Sequence, residues 1–160
     1  MAFCVGDMIA HPMHGAGIID CIESQKIGGE MKEYYVLKLP VGDMLVKIPT
    51  ETSAAIGVRP IIDPVEADRL LEAIPNIEVI MTQNWNKRYR ENMLRIKSGD
   101  LLEVAAVAKG LTFREMSKGL STGERKMLHS AKQILISEIV LSKSASYEEI
   151  EILLNSALSA

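Results

Sequence analysis

Aromatic residues are scarce in this 160-residue chain: one tryptophan, two phenylalanines and four tyrosines. A core built with so little ring volume has to be aliphatic, drawn from Leu, Ile, Val, Ala and the nine methionines. Cysteine is nearly absent as well. Cys4 and Cys21 lie in strand-like apolar stretches, where two buried thiols of an intracellular protein fit better than a structural disulfide. No uninterrupted apolar run approaches the ~18 residues of a membrane span. The opening MAFCVGDMIAHP contains Asp7 and lacks a basic n-region, so it does not read as a signal peptide. These absences point to a cytoplasmic protein. With 48% hydrophobic residues the chain is not disordered by composition, and its length suits one domain or two small ones.

Catalytic signatures are missing too. There is no GxxxxGK[ST] phosphate loop and no GxGxxG opening a helix after a strand. The GAG at 15–17 enters a strand and reads as backbone geometry. His11 and His14 lie three apart, but the third histidine, His129, is far away and no CxxC or HExxH accompanies them, so HPMHG reads as a turn. No nucleophile or paired carboxylate has a recognisable setting. The expectation is a protein that is not an enzyme and needs no metal or cofactor.

What is present is patterned. The first fifty residues carry short β-type runs: VGDMIAHP, turning at Pro12–Gly15; GAGIIDCIE, with Gly15 and Gly17 allowing a bend or bulge; SQKI and EMKEYYVLKL about a Gly28–Gly29 hairpin; and MLVKIP after a turn at Val41–Gly42–Asp43. Four or five strands with tight turns and no crossover helix predict a small antiparallel barrel of SH3 or Tudor type. From residue 63 the period becomes helical. Asp63 with Glu66, Asp100 with Glu103, Thr112 with Glu115, Ser121 with Glu124 and Ser146 with Glu149 share the spacing of a capping box, and a further helix starts near Asn84. About six helices follow, the longest from Ser121 to about Leu141. The fold class is thus α+β: a barrel over 1–62 followed directly by an all-helical domain over 63–160.

Charge is uneven. Net charge is only −3, yet residues 83–132 hold eleven Lys/Arg against five Asp/Glu, while residues 1–82 hold six against twelve. A basic segment between acidic flanks is the footprint of a polyanion site, or else an ordinary solvated helix surface. Within it lies NWNKRYRENM, residues 84–93, where the lone Trp85 neighbours Lys87, Arg88 and Arg90. Trp85, Tyr89, Met93 and Ile96 recur at helical spacing, so Trp85 could open a core stripe. Alternatively it sits half-exposed on the first helical turn, where its ring can wedge at a base step while cations and free N–H groups hold phosphates. Arg125 and Lys126 form a second basic pair inside the start of the longest helix, against the helix dipole, a placement that makes sense if an anion docks there.

These blocks together resemble the CarD (CdnL) family of bacterial transcription regulators. The likeness runs through VGDMIAHPMHGAG, EYYVLKLPVGDMLVKIPTE, NWNKRYRENMLRIKSGDLLEVAAVAKGL and KGLSTGERKMLHSAKQILISE, in the family's order. The first part also resembles the polymerase-binding module of transcription–repair coupling factors. The resemblance implies a Tudor-like domain on the RNA polymerase β subunit and a helical domain on promoter DNA at the upstream edge of the bubble, stabilising the open complex. It implies that Trp85 inserts in the minor groove and that Lys87, Arg88, Arg90, Arg125 and Lys126 contact phosphates. On the barrel it implies polymerase contacts at Lys47 and at Gln25, which stands where some members carry a basic residue. Ile27 would add apolar contact from the Gly28–Gly29 hairpin, pairing by strand addition. The chain would work as a monomer without a membrane. Two rival functions remain: a protein-interaction adaptor with no DNA contact, and a free-standing DNA-binding regulator.

Overall fold

A computed structural model describes residues 2–42 and 44–160. Five strands come first: β1 (Met8–His11), β2 (Gly15–Ile27), β3 (Glu30–Lys38), β4 (Leu45–Pro49) and β5 (Arg59–Pro60), with a single-turn helix α1 (Ser53–Ile56) before β5. They form one antiparallel sheet in the order β4-β3-β2-β1-β5. The two-residue loop Gly28–Gly29 has φ of 60° and 84°, the positive pair that a hairpin matching sheet twist requires and that glycine adopts without strain. The turn read at Val41–Gly42–Asp43 includes Asp43, which lies outside the described residues.

Two expectations for the sheet need correction. The irregularity in β2 falls between Ile19 and Cys21, not at the glycines. Gly17 instead allows close strand approach, since a Cβ there would lie 2.6 Å from the Lys38 carbonyl oxygen. The Gly28–Gly29 hairpin is also not a sheet edge by order; β4 and β5 are. Yet β1 pairs with β2 only at Gly15–Ile18, and β4 begins pairing β3 at Tyr34. The hairpin therefore projects beyond its neighbours, and no strand among the described residues pairs the outer side of β2 from Cys21 to Ile27.

One face of the sheet packs a small core of Phe3, Ile9, Ile19, Tyr35, Leu37, Ile48 and Val58. Five helices follow: α2 (Pro64–Ala73), α3 (Trp85–Lys97), α4 (Leu101–Ser117), α5 (Thr122–Lys143) and α6 (Tyr147–Ser159), with a 3-10 turn at Ile74–Asn76. Asp63, Asn84, Asp100, Ser121 and Ser146 cap them, each side chain accepting a backbone N–H of the first turn. Thr112 caps nothing. It lies inside α4, where its Oγ1 donates back to the Ala108 carbonyl at 2.7 Å, so one helix replaces the two expected there. A separate aliphatic core drawn from all five helices, including Leu70, Ile96, Leu111, Leu135, Ile139, Ile150 and Leu154, holds them together.

Candidate nucleic-acid interface

Asn84 ends an extended segment and caps α3 by accepting from the Lys87 N–H at 3.0 Å, which makes Trp85 the first helical residue. Such a residue projects at the helix end rather than into a core. Trp85 is 42% exposed. It is not loose: its ring stacks on Tyr89 with centroids 5.1 Å apart and planes 18° from parallel. Its Nε1–H donates to Ser121 Oγ at 3.0 Å. Ser121 is the N-cap of α5 and accepts the Glu124 N–H as well. The first turn of α5 lies directly against the two rings: a Cβ at Gly123 would meet both at ordinary van der Waals distance, 3.6–3.7 Å. The N-termini of α3 and α5 thus converge, with Trp85 bridging them. The placement is the second of the two readings, half-exposed on the first helical turn, and the ring is in addition held in one pose.

Beneath it lies a buried ion pair. Arg88 is 1% exposed, and its guanidinium donates to both Glu124 carboxylate oxygens at 2.9 and 3.2 Å. Its Nη1 also donates to the carbonyls of Thr82 and Gln83. Burial by itself would push the Glu124 carboxyl up, but the hydrogen bonds and charge of Arg88, the charge of Arg114 and the Ser121 cap outweigh it and hold the group below the usual carboxylate range. The expectation that Arg88 meets phosphate is therefore corrected: its donors are spent inside the protein. The capping-box spacing Ser121–Glu124 also concealed the real role of Glu124, whose side chain turns to Arg88. No sequence signal links residues 36 positions apart.

The segment before α3 is pinned from below. Lys109, buried in α4, donates through Nζ to the carbonyls of Ile74, Pro75 and Ile77 at 2.7–3.1 Å. Met81 lies on Gly110, where a Cβ would come within 2.2 Å of the Met81 methyl group, so a larger residue there would require the Met81 side chain to move. Thr82 Oγ1 donates to Glu91 at 2.8 Å. Thus the approach to Trp85 is fixed on the side away from solvent.

On the first turns of the same two helices, Lys87, Arg90 and Lys126 are exposed and take part in no ion pair among the described residues. Arg125 is exposed but faces Glu115 at 3.5 Å, a pairing that water screens heavily. An exposed flat ring at two helix N-termini, on helices whose first turns also carry uncommitted cations, is an arrangement able to hold an anionic backbone and stack on a base.

The expected polymerase residues lie elsewhere. Strand alternation and register put Gln25, Ile27 and Lys47 on the same outer face of the sheet, opposite the core. Lys47 is not a free cation there: it pairs with Glu23 at 2.9 Å across β3, both side chains nearly half exposed. His11 accepts the Met13 and His14 N–H groups at Nδ1 and closes the HPMHG turn. Among the described residues no cluster of three or more His, Cys, Asp or Glu is placed to hold a metal ion, and no helix is long and apolar enough to cross a membrane.

A small antiparallel sheet with an exposed face, joined to helices that carry a half-exposed ring and free cations, defines a two-part architecture of the α+β class. Comparison with known proteins gives the class a family. Residues 3–62 match the CarD-like/TRCF RID domain and residues 69–155 match the CarD C-terminal domain. A Bacillus subtilis (strain 168) protein named "Putative transcription factor YdeB" is 34% identical over 149 residues, covering 93% of this chain and 97% of that one. The chain belongs to the CarD family, a class of non-enzymatic transcription regulators.

Proposed function

We propose that this protein binds RNA polymerase through its β subunit with residues 1–62, and promoter DNA at the upstream edge of the bubble with residues 63–160, stabilising the open complex. It works in the cytoplasm as a monomer. The sheet's outer face, with Gln25, Ile27 and the Lys47–Glu23 pair, meets polymerase, and the unpaired side of β2 near Ile27 accepts an added strand. Lys87, Arg90, Arg125 and Lys126 hold phosphates without reading bases, while Trp85 wedges at the junction of double and single strand. Arg88 sets the position of the wedge through Glu124 instead of touching DNA.

The observation that carries this reading is the Trp85 indole, the largest ring in the chain, held half-exposed by Tyr89 and Ser121 where α3 and α5 begin. A ring kept for the core would be covered; one kept for a partner is posed and left open. The test is the open-complex lifetime on a promoter with Trp85→Ala and Trp85→Phe, alongside melting curves. With more than half the ring covered, Ala should lower stability by about 2 kcal/mol, the transfer value for roughly 100 Å² of lost apolar burial. Lifetime should fall sharply at temperatures where the variant is folded, because unstacking a base step costs a few kcal/mol that the ring offsets. Phe should keep part of the effect. A lifetime loss explained wholly by unfolding would return Trp85 to a structural role.

Mobility-shift assays with and without polymerase separate the rival functions. DNA binding that needs polymerase supports the proposal. Tight sequence-specific binding by the protein alone would favour a free-standing regulator, and no dependence on DNA an adaptor.

A further inference from the structure

We infer that α5 is a strut fixing the angle between the β-sheet and the Trp85 edge, and that Arg59, Ser137 and Glu138 are positioning residues for open-complex support. The inference rests on the function proposed above and adds residues remote from both binding surfaces.

One turn of α5 holds the sheet. Ser137 Oγ accepts the Ala16 N–H of β2 at 2.9 Å and is itself oriented by donating to the Ile134 carbonyl at 3.0 Å. Gly15 approaches so closely that a Cβ would lie 2.5 Å from that oxygen. The next residue, Glu138, is 1% exposed. Its two oxygens receive Nη1 and Nη2 of Arg59 in β5 at 2.7 and 3.0 Å, and one of them also takes the Ile62 N–H at 2.9 Å. Hence β2, β5 and the short connection to α2 are bonded to the same helical turn. Only Ile61–Asp63 separate β5 from α2, and the middle residue of the three is committed to Glu138.

At its other end α5 holds the DNA-side residues, through Ser121 to Trp85 and through Glu124 to Arg88. Ser121 and Ser137 are sixteen residues apart, so the two attachment points lie about 24 Å apart along one continuous helix at ~1.5 Å per residue. An apolar contact would hold the halves together without the desolvation that a buried carboxylate entails. A bidentate guanidinium–carboxylate pair adds what apolar packing lacks: a fixed direction. That feature is useful if the angle between polymerase surface and DNA wedge matters. The joint then lets polymerase binding place the ring without a search over orientations.

The experiment measures the angle and its consequence separately, in the full chain. Nitroxide labels are attached at Lys32→Cys in β3 and Glu151→Cys in α6, in a background carrying Cys4→Ser and Cys21→Ser, and the distance distribution is read by double electron–electron resonance. The parent should give one narrow distribution. Glu138→Gln, which keeps the side-chain shape, and Ser137→Ala, which removes only the Ala16 acceptor, should each broaden it. Retention on polymerase should stay within about twofold, while open-complex lifetime falls about fivefold or more, the low end of ordinary coupling between linked sites. Distributions unchanged in both variants would overturn the strut, as would broadened distributions with the parent's lifetime. Trp85→Ala, assayed in parallel, separates the two layers. If it leaves lifetime unaltered, the DNA-wedge reading has failed, and the distance distributions alone decide whether the joint is stiff. If it shortens lifetime and the joint variants do not, the strut has failed and the wedge stands.

Discussion

Arg88→Ala is the substitution on which the sequence and the structure disagree most. As a surface phosphate contact, Arg88 could be lost with little effect on folding, within about ±0.5 kcal/mol. As a buried partner of Glu124 it cannot. Removing it strands a carboxylate that is 2% exposed, with only the Ser121 hydroxyl at 3.4 Å and its own capped turn nearby, and frees the Thr82 and Gln83 carbonyls. Breaking one side of a buried pair costs about 3–5 kcal/mol. The charge of Arg114 acts on the same carboxylate, so the lower end of that range applies here. For a chain of this size about 3 kcal/mol lowers Tm by roughly 6–12 °C. A thermal melt followed by circular dichroism reads this directly.

Two controls sharpen the comparison. Lys87→Ala and Arg90→Ala should melt close to the parent but reduce the salt dependence of DNA support by about one counterion each. Replacing both members of the pair, Arg88→Met with Glu124→Leu, should restore much of the melting temperature, since no charge is left buried alone. DNA support should still be impaired in the double variant, because the turn that presents Trp85 is no longer held through those contacts. The reasoning would be refuted if Arg88→Ala melted like the parent and lost one counterion in the salt slope. Arg88 would then leave Glu124 to meet phosphate, and the buried pair would be a resting state.

Three other outcomes follow from the same geometry. Glu124 has a folded pKa below its unfolded value of about 4.3, so its contribution to stability is full above that value and is lost as pH falls through the folded pKa; acid melts should show a loss below about pH 4 that Glu124→Gln removes. Burial and the nearby His14 lower the His11 pKa, so a shallower loss should begin as pH falls below about 6.5 and vanish in His11→Asn if the HPMHG turn is its source. Lys109→Met leaves the carbonyls of Ile74, Pro75 and Ile77 without their donor; stability should fall by roughly 2–4 kcal/mol and amide exchange over residues 77–84 should speed up, whereas unchanged exchange would mean that Met81 alone pins the segment. Lys47→Glu sets two carboxylates against each other on the sheet's outer face; the exposed pair adds little to folding, so melting should hold while polymerase retention drops, and an unchanged pull-down would remove Lys47 from the interface.

The parts of the fold legible in the sequence are those set by neighbours along the chain. Gly28–Gly29 announced its hairpin because few other residue pairs take two positive φ values in succession. The caps Asp63, Asn84, Asp100, Ser121 and Ser146 were legible because a short polar side chain reaches its own first turn. Thr112 with Glu115 has the same spacing and misled for a physical reason: a threonine hydroxyl is equally well satisfied by the carbonyl one turn back, and the surrounding Val107, Ala108 and Leu111 keep α4 buried and continuous. At the DNA-side edge, the run from Lys87 to Arg90 was visible as charge, but its division was not. Helical spacing turns Arg88 inward and Lys87 and Arg90 outward only once α5 is known to lie against that side, carrying Glu124.

Under the proposed function, that division lets an acidic protein serve a DNA surface without binding DNA strongly on its own. The Arg88–Glu124 pair is neutral as a unit, so the cations offered to phosphate at this edge are Lys87, Arg90, Lys126 and Arg125, whose pairing with Glu115 is exposed and screened. Four phosphate contacts correspond to a slope of roughly −3.6 in log K against log salt, against about −10 for a strong operator-binding protein. Affinity of that order leaves DNA largely unoccupied at cellular ionic strength. Tethering changes the arithmetic: a DNA-side surface held beside the promoter by polymerase acts at millimolar effective concentration, and weak contacts then suffice. The sparse charge therefore agrees with a protein whose address on the genome comes from polymerase, and whose ring is used only where polymerase has already opened the duplex.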